Sequence, residues 1–155
     1  MKSISKDFKK LYEQTIDELH EKVRFINCGG CGCYALSLSS SLTKLGYEHE
    51  FVVIFRNKSG LSNGKKYIKE NNIGEFHNSS AWTHIMLKIN SKLIDSSGIY
   101  KSLSEKYDEP KYKTIVDKSY LEELVNKKDY WNIIFNRKNI KKINKILEKN
   151  LVDSN

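Results

Sequence analysis

Three cysteines, Cys28, Cys31 and Cys33, fall within six positions and are the only ones in the chain. An odd count at such short spacing argues against a disulfide scaffold. It leaves a metal cluster, a reactive thiol, or small core side chains. Gly29 and Gly30 break the chain just ahead of Cys31, and a helical pattern then runs from about Cys31 to Leu45 and stops at Gly46. The spacing therefore places Cys31 at a helix N-terminus. There the positive end of the helix dipole and nearby N–H groups favour a thiolate. The same N–H groups can hold an oxyanion. At about 100° per residue, Ala35, Leu38, Leu42 and Leu45 share the apolar stripe of Cys31, and Cys33 points about 200° away.

The second chemical group is His84, near the start of the strand-like run 82–89 (WTHIMLKI). Asn90-Ser91 is a hairpin signal, and 92–96 (KLIDS) reads as the return strand. A two-residue turn pairs Ile89 with Lys92, Leu87 with Ile94 and Met86 with Asp95. Ile85, Leu87, Ile89 and Ile94 then share an apolar face. His84, Met86, Leu93, Asp95 and Ser97 share the other. His84 and Asp95 become diagonal neighbours within reach of a hydrogen bond. A carboxylate there fixes the histidine tautomer and stabilises imidazolium; the imidazole can activate a thiol opposite it. This polar-lined face is expected to pack near the N-terminus of the Cys31 helix. Asn27 can supply an oxyanion donor or simply form a turn. Gly30 lets a substrate backbone approach, and Trp82 either walls the site or packs. Of the other histidines, His20 falls on an exposed helix region, His49 near a strand start, and His77 in a loop that can touch substrate.

Around these groups stand the elements that must position them. Phe8, Leu11, Tyr12, Thr15, Ile16, Leu19 and Val23 recur at helical spacing, so 5–24 reads as a helix. Residues 25–27 form a short extended lead-in. Residues 50–56 (EFVVIFR) read as a strand. Residues 57–80, rich in Asn, Ser, Gly and Lys, read as a long surface excursion with one helical turn near Lys65–Glu70. Ser97-Gly98 ends the return strand. Ser119 and Glu122 match a capping box, Asp129 opens a short helix containing Trp131, and Asn136 caps a last helix with Ile140, Ile143, Ile146 and Leu147 on one face. The fold class is α+β: one domain over 1–155, with an antiparallel sheet of about three or more strands on a central helix carrying the cysteine, and N- and C-terminal helices. Its core spans about 25–100, with a helical C-terminal extension over about 101–150.

The stretch Gly30-Cys31-Gly32-Cys33-Tyr34-Ala35 resembles the signature that opens the central helix of papain-like and transglutaminase-like cysteine enzymes. His84 at a strand start and Asp95 on the next strand resemble their Cys-His-Asp order. Compact phage and bacterial members of the papain-like superfamily look closest. Ile85 and Met86 follow His84 where transglutaminase cores commonly carry an aromatic. The resemblance implies a thiol hydrolase or acyl transferase with Cys31 as nucleophile, His84 as base and Asp95 as orienter. A shifted alignment puts Cys33-Tyr34-Ala35 on the papain-like pattern instead and makes Cys33 the nucleophile.

Composition removes other classes. The chain has 155 residues, 30% of them charged, and a single proline, Pro110, which excludes collagen-like and Pro-rich disordered proteins. No apolar run approaches the roughly 20 residues of a membrane helix, and no secretory signal follows the N-terminal lysines; a cytoplasmic protein is expected. The net charge of +8 rests on lysines, with only Arg24, Arg56 and Arg137 as arginines. Weak electrostatic attraction to nucleic acid is expected and no more. A protein or peptide substrate is expected, with no cofactor and no metal. Two rival readings stand beside the enzyme. One is a non-catalytic binding module that keeps the fold, either simply inactive or stapled by a Cys₃His zinc site, though no second compact ligand segment exists for zinc. The other is a basic nucleic-acid-binding domain.

Overall fold

The computed structural model describes residues 2–23, 26, 30–126 and 137–154. Asn27, Cys28 and Gly29, and the expected helix start at Asp129, Trp131 and the Asn136 cap, lie outside the described residues.

Helix α1 covers Lys6–Lys22 and is capped by Ser5, whose side chain accepts from the Phe8 N–H at 3.0 Å. It buries Phe8, Tyr12, Thr15, Ile16 and Leu19, the stripe its periodicity predicts. Helix α2 covers Cys31–Lys44 behind Gly30. Gly46 ends it at φ +83°, with the Tyr47 N–H donating to the Leu42 carbonyl at 2.9 Å. That six-to-one bond satisfies a terminal carbonyl, and the positive φ is why glycine stands there.

Among the described residues, five antiparallel strands form one sheet: β1 (Glu50–Phe55), β2 (Trp82–Ile89), β3 (Lys92–Asp95), β4 (Gly98–Tyr100) and β5 (Tyr112–Val116). Their order is β4-β3-β2-β1-β5. Leu87 pairs with Ile94 and Ile89 with Lys92, so the Asn90-Ser91 turn has the expected register, with Asn90 at φ 54°. Two strands are additional to the three read from sequence. The return strand ends at Asp95, just ahead of Ser97-Gly98, but the sheet continues: Asp95 pairs with Gly98, so Ser96-Ser97 turns the chain into β4. β5 is an edge strand on β1.

Residues 57–80 are not a long loop. They form α3 (Lys58–Lys69) and α4 (Ile73–Ser79). The asparagines that suggested a loop are caps: Asn57 accepts from the Gly60 N–H at 2.7 Å and Asn72 from the Glu75 N–H at 3.2 Å. Gly60 and Gly64 are contact points rather than breaks. A Cβ would lie 2.4 Å from the Ser80 carbonyl oxygen at Gly60 and 2.4 Å from the Phe55 ring at Gly64. Short α5 (Leu103–Lys106) follows β4. Helix α6 spans Lys118–Asn126. Its first helical bond runs from the Leu121 N–H to the Asp117 carbonyl at 3.1 Å, so Ser119 lies inside the first turn and is not its cap. Helix α7 (Arg137–Leu147) continues into a π turn at Glu148–Val152 and buries Ile143, Ile146 and Leu147.

Helix α2 packs against β2 and β3 and also against α6 and α7. It is therefore buried on more than its apolar stripe, taking Cys33, Ser37, Ser39 and Ser41 inside. Cys33, about 200° from the Cys31 stripe, is buried as well, because the far side of the helix is covered too. Phe51, Val53, Phe55, Ile85, Leu87, Ile89 and Ile94 share one cluster with the helices. Val52, Ile54, Met86 and Leu93 form a smaller one with Tyr100, Leu103 and Tyr107. Among the described residues, no helix is long and apolar enough to cross a membrane.

Candidate active site

His84 is the third residue of β2 and Asp95 the last of β3, so they meet at one end of the strand pair. Next to His84 the pairing with β1 slips: Ile54 faces His84 but Phe55 faces Trp82, leaving Thr83 as an extra residue. Such a bulge re-aims the side chains around it. Trp82 consequently packs with the larger cluster, stacked on Phe76 and tilted against His77. His84 keeps the parity of Met86.

The His84 Nε2 lies 2.7 Å from the Asp95 Oδ2. The Cys31 side chain also hydrogen-bonds His84. Helix α2 packs in one cluster with Ile85 and Leu87, and its N-terminal residue Cys31 reaches His84 on the other face. The thiol reaches the imidazole because both stand at the end of the sheet, where β2 begins.

Asp95 is only 3% exposed, and both its oxygens are occupied. Oδ1 accepts from the Ser97 N–H and Ser97 Oγ, each at 2.8 Å, and from the Gly98 N–H at 3.2 Å. An aspartate bonding the backbone two residues on is a turn-forming device, so this carboxylate also shapes the β3–β4 turn. Oδ2 is shared between His84 and Lys106, whose Nζ is also 2.7 Å away. The Asp95 carbonyl accepts from the Tyr12 hydroxyl at 2.6 Å, which in turn meets the Tyr34 hydroxyl at 2.5 Å. His20 Nε2 is 2.7 Å from the Ser96 carbonyl oxygen. Helices α1 and α2 thus clamp the turn that carries Asp95.

The electrostatics follow from this wiring. Burial disfavours a charged imidazole, but the hydrogen bonds to Asp95 and Cys31 and the negative charge on both outweigh it, raising His84 to about 9. Burial acts to raise Asp95, yet the His84 hydrogen bond and the charges of His84 and Lys106 hold it well below the ordinary carboxylate range. Cys33 is pushed up to about 12 by burial and then by the charge of Cys31, so its sulfur stays protonated near neutral pH. Tyr107 is pushed up to about 12 by burial and by the charges of Asp95 and Cys31.

The other candidates separate. Gly30 is the N-cap of α2, and its carbonyl accepts from the Tyr34 N–H at 2.9 Å. Asn27 and Cys28 lie outside the described residues, and among those described no group of three His, Cys, Asp or Glu side chains could hold a metal ion. His49 is held between the Ser39 hydroxyl at 2.6 Å and the Tyr47 carbonyl at 3.0 Å. His77 sits on α4 rather than in a loop, with its Nδ1 buried and unbonded. Sequence reasoning missed Lys106, one lysine among many, and the Tyr12 hydroxyl, hidden in a position whose helical spacing reads as core. A cleft of about 420 Å³ opens beside His84, lined by Thr83, His84, Ser97, Lys106, Tyr107 and Lys111. Comparison of the chain with protein-family models, with curated proteins and with solved structures gives no match.

Proposed function

We propose that the protein is a thiol-dependent hydrolase or acyl transferase of papain-like or transglutaminase-like fold, acting in the cytoplasm on a peptide, isopeptide or carboxamide bond. The observation that carries this reading is the relay at one end of the sheet: His84 bonded through Nε2 to a buried Asp95 at 2.7 Å and also to Cys31. Cys31 is the nucleophile, His84 the proton carrier and Asp95 the group that orients it. The Cys31 thiolate attacks the carbonyl carbon, and the positive end of α2 steadies the oxyanion. The carbon–nitrogen bond breaks, the leaving amine takes the proton of the His84 imidazolium, and a thioester remains. Water or a second amine then attacks the thioester, gives its proton to His84 and releases Cys31 as thiolate.

Labelling with iodoacetamide at pH about 6, followed by mass mapping, tests it. Cys31 is expected to react faster than Cys28 and Cys33, because its sulfur sits beside a charged imidazole whereas Cys33 is protonated. Fast labelling at Cys33, or no site preference, rejects Cys31 as nucleophile.

A further inference from the structure

The cleft beside His84 holds more positive charge than the relay needs. Lys106 is committed, with its Nζ at 2.7 Å from both the Asp95 Oδ2 and the Ser97 Oγ. Lys111 is not: it reaches the Tyr107 ring, 5.7 Å from the centroid, and makes no ion pair among the described residues. Lys106 lies 5.6 Å from the same centroid. One aromatic ring therefore gathers two ammonium groups at the mouth of a cleft whose third cation is His84, raised to about 9. No lining side chain is acidic. Asp108 and Glu109 stand nearby in sequence but are exposed and do not line the cleft. Behind the wall the Asp95 carboxylate is already satisfied by two cations and three further donors, and the Cys31 thiolate also faces His84, so against these two anions the three cations leave one positive charge over, that of Lys111.

A cleft with surplus positive charge, hydroxyls at Thr83 and Ser97, and an aromatic floor suits a small planar anion. Its place is informative. His84 is the group that hands its proton to the departing amine, so a cleft bordering His84 receives the amine half of the substrate. Resting on the thiol-enzyme reading above, we infer that the protein selects substrates whose leaving amine carries a carboxylate, and that Lys111 is the residue that reads it.

A pair of thiol-directed probes of nearly equal size tests this on the full chain: chloroacetylglycine, which carries a carboxylate, and chloroacetylglycinamide, which is neutral. In both, the Cys31 thiolate displaces chloride and forms a thioether, leaving the added group on the amine side of the carbonyl. The carboxylate probe is expected to alkylate Cys31 on the order of five-fold faster than the neutral one, the size of a partly exposed ion pair. Lys111→Gln should bring that ratio near unity, Lys111→Arg should preserve it, and high salt should lower it. A ratio at or below one in the wild type overturns the inference, as does a ratio that Lys111→Gln leaves unmoved. If Cys31 still outpaces Cys33 with the neutral probe, that failure belongs to the specificity alone. If Cys31 reacts no faster than Cys33 with either probe, the thiol-enzyme reading falls and the specificity with it.

Discussion

The two faces of the sheet are built to different depths. One buries Phe51, Val53, Phe55, Ile85, Leu87 and Ile94 under α1, α2, α6 and α7 in a single continuous cluster. The other buries only Val52, Ile54, Met86 and Leu93, covered by Tyr100, Leu103 and Tyr107 from a short strand, a single helical turn and the residue after it. Each fully buried leucine or isoleucine contributes about 2 kcal/mol, so the thick face carries most of the stability. The thin face carries the ions. His84 and Asp95 share its parity, and Lys106 reaches Asp95 from its cover. That cover is enough to hold Asp95 at 3% exposure and His84 and Lys106 at 15%, yet leaves a cleft open beside them. Stability and chemistry are therefore separable here, with Cys31 as the point where the thick side touches the thin one.

The largest effect that can test this separation is on reactivity. Cys31→Ala and His84→Ala should each lower turnover, or labelling by an amide-mimicking electrophile, by roughly 1,000-fold or more. Both should stay folded, because Asp95 keeps Lys106 and the thick core is untouched. Full reactivity in either variant breaks the division; unfolding of His84→Ala, seen by circular dichroism, makes the relay a structural element instead.

Cavity mutations compare the faces directly. Leu38→Ala, in the thick core, should cost about 3–4 kcal/mol in urea denaturation, whereas Leu93→Ala under the thin cover should cost about 2 kcal/mol, since a thin layer collapses more readily into the space. Equal costs would mean that the cover is as rigid as the core.

The pH dependence of stability reports the relay from the folded side. His84 is raised from its ordinary 6.5 to about 9, so its contribution is fully present below about pH 6.5 and is lost as the pH rises through about 9. Asp95 is lowered, so its contribution is present above the ordinary carboxylate range and is lost only in strong acid. Thermal melts between pH 6 and 10 should show the first loss. In Cys31→Ala it should come at lower pH, because one source of the His84 shift is gone. A loss at the same pH in both proteins would uncouple Cys31 from His84.

The smallest effect is the most specific. Lys106 and His84 share one oxygen of Asp95, so the lysine draws on charge that would otherwise stabilise imidazolium. Lys106→Met should move the basic limb of the pH–rate profile upward by a fraction of a unit, on the order of a weak charge pair, and Lys106→Arg should restore it. A profile that stays fixed while the melting temperature falls would make Lys106 merely a brace.

Much of the candidate site's geometry is legible in the sequence because it depends on short-range periodicities. The two-residue Asn90-Ser91 turn and the alternation of β-strands placed His84 and Asp95 on one face, and the structure holds them 2.7 Å apart. Glycines before Cys31 and Gly46 after Leu45 bounded α2 to within a residue. Residues 57–80 fold as helices where their composition suggests a loop, because Asn, Gly and Ser carry two meanings. Asn57 and Asn72 cap helices, and Gly60 and Gly64 make room for the Ser80 carbonyl and the Phe55 ring. The caps act on N–H groups three residues on, but Ser80 and Phe55 lie outside the helix that carries the two glycines, and no local pattern announces those contacts.

The sequence by itself determined which residues share a helix stripe or a strand face, because rotation per residue is a local property of the backbone. It therefore determined that Cys31 begins a buried helix and that His84 and Asp95 can pair. Only the tertiary structure decided what each face meets. The bulge at Thr83 turned Trp82 toward Phe76, and α6 and α7 buried the Cys33 side of α2 as well as the Cys31 side. The return of the chain through α5 brought Lys106 to Asp95. These outcomes depend on chain reversals and on packing between distant segments, where many lysines or aromatics have equal local claims. The choice among them is made by which one the finished fold places within a few ångströms.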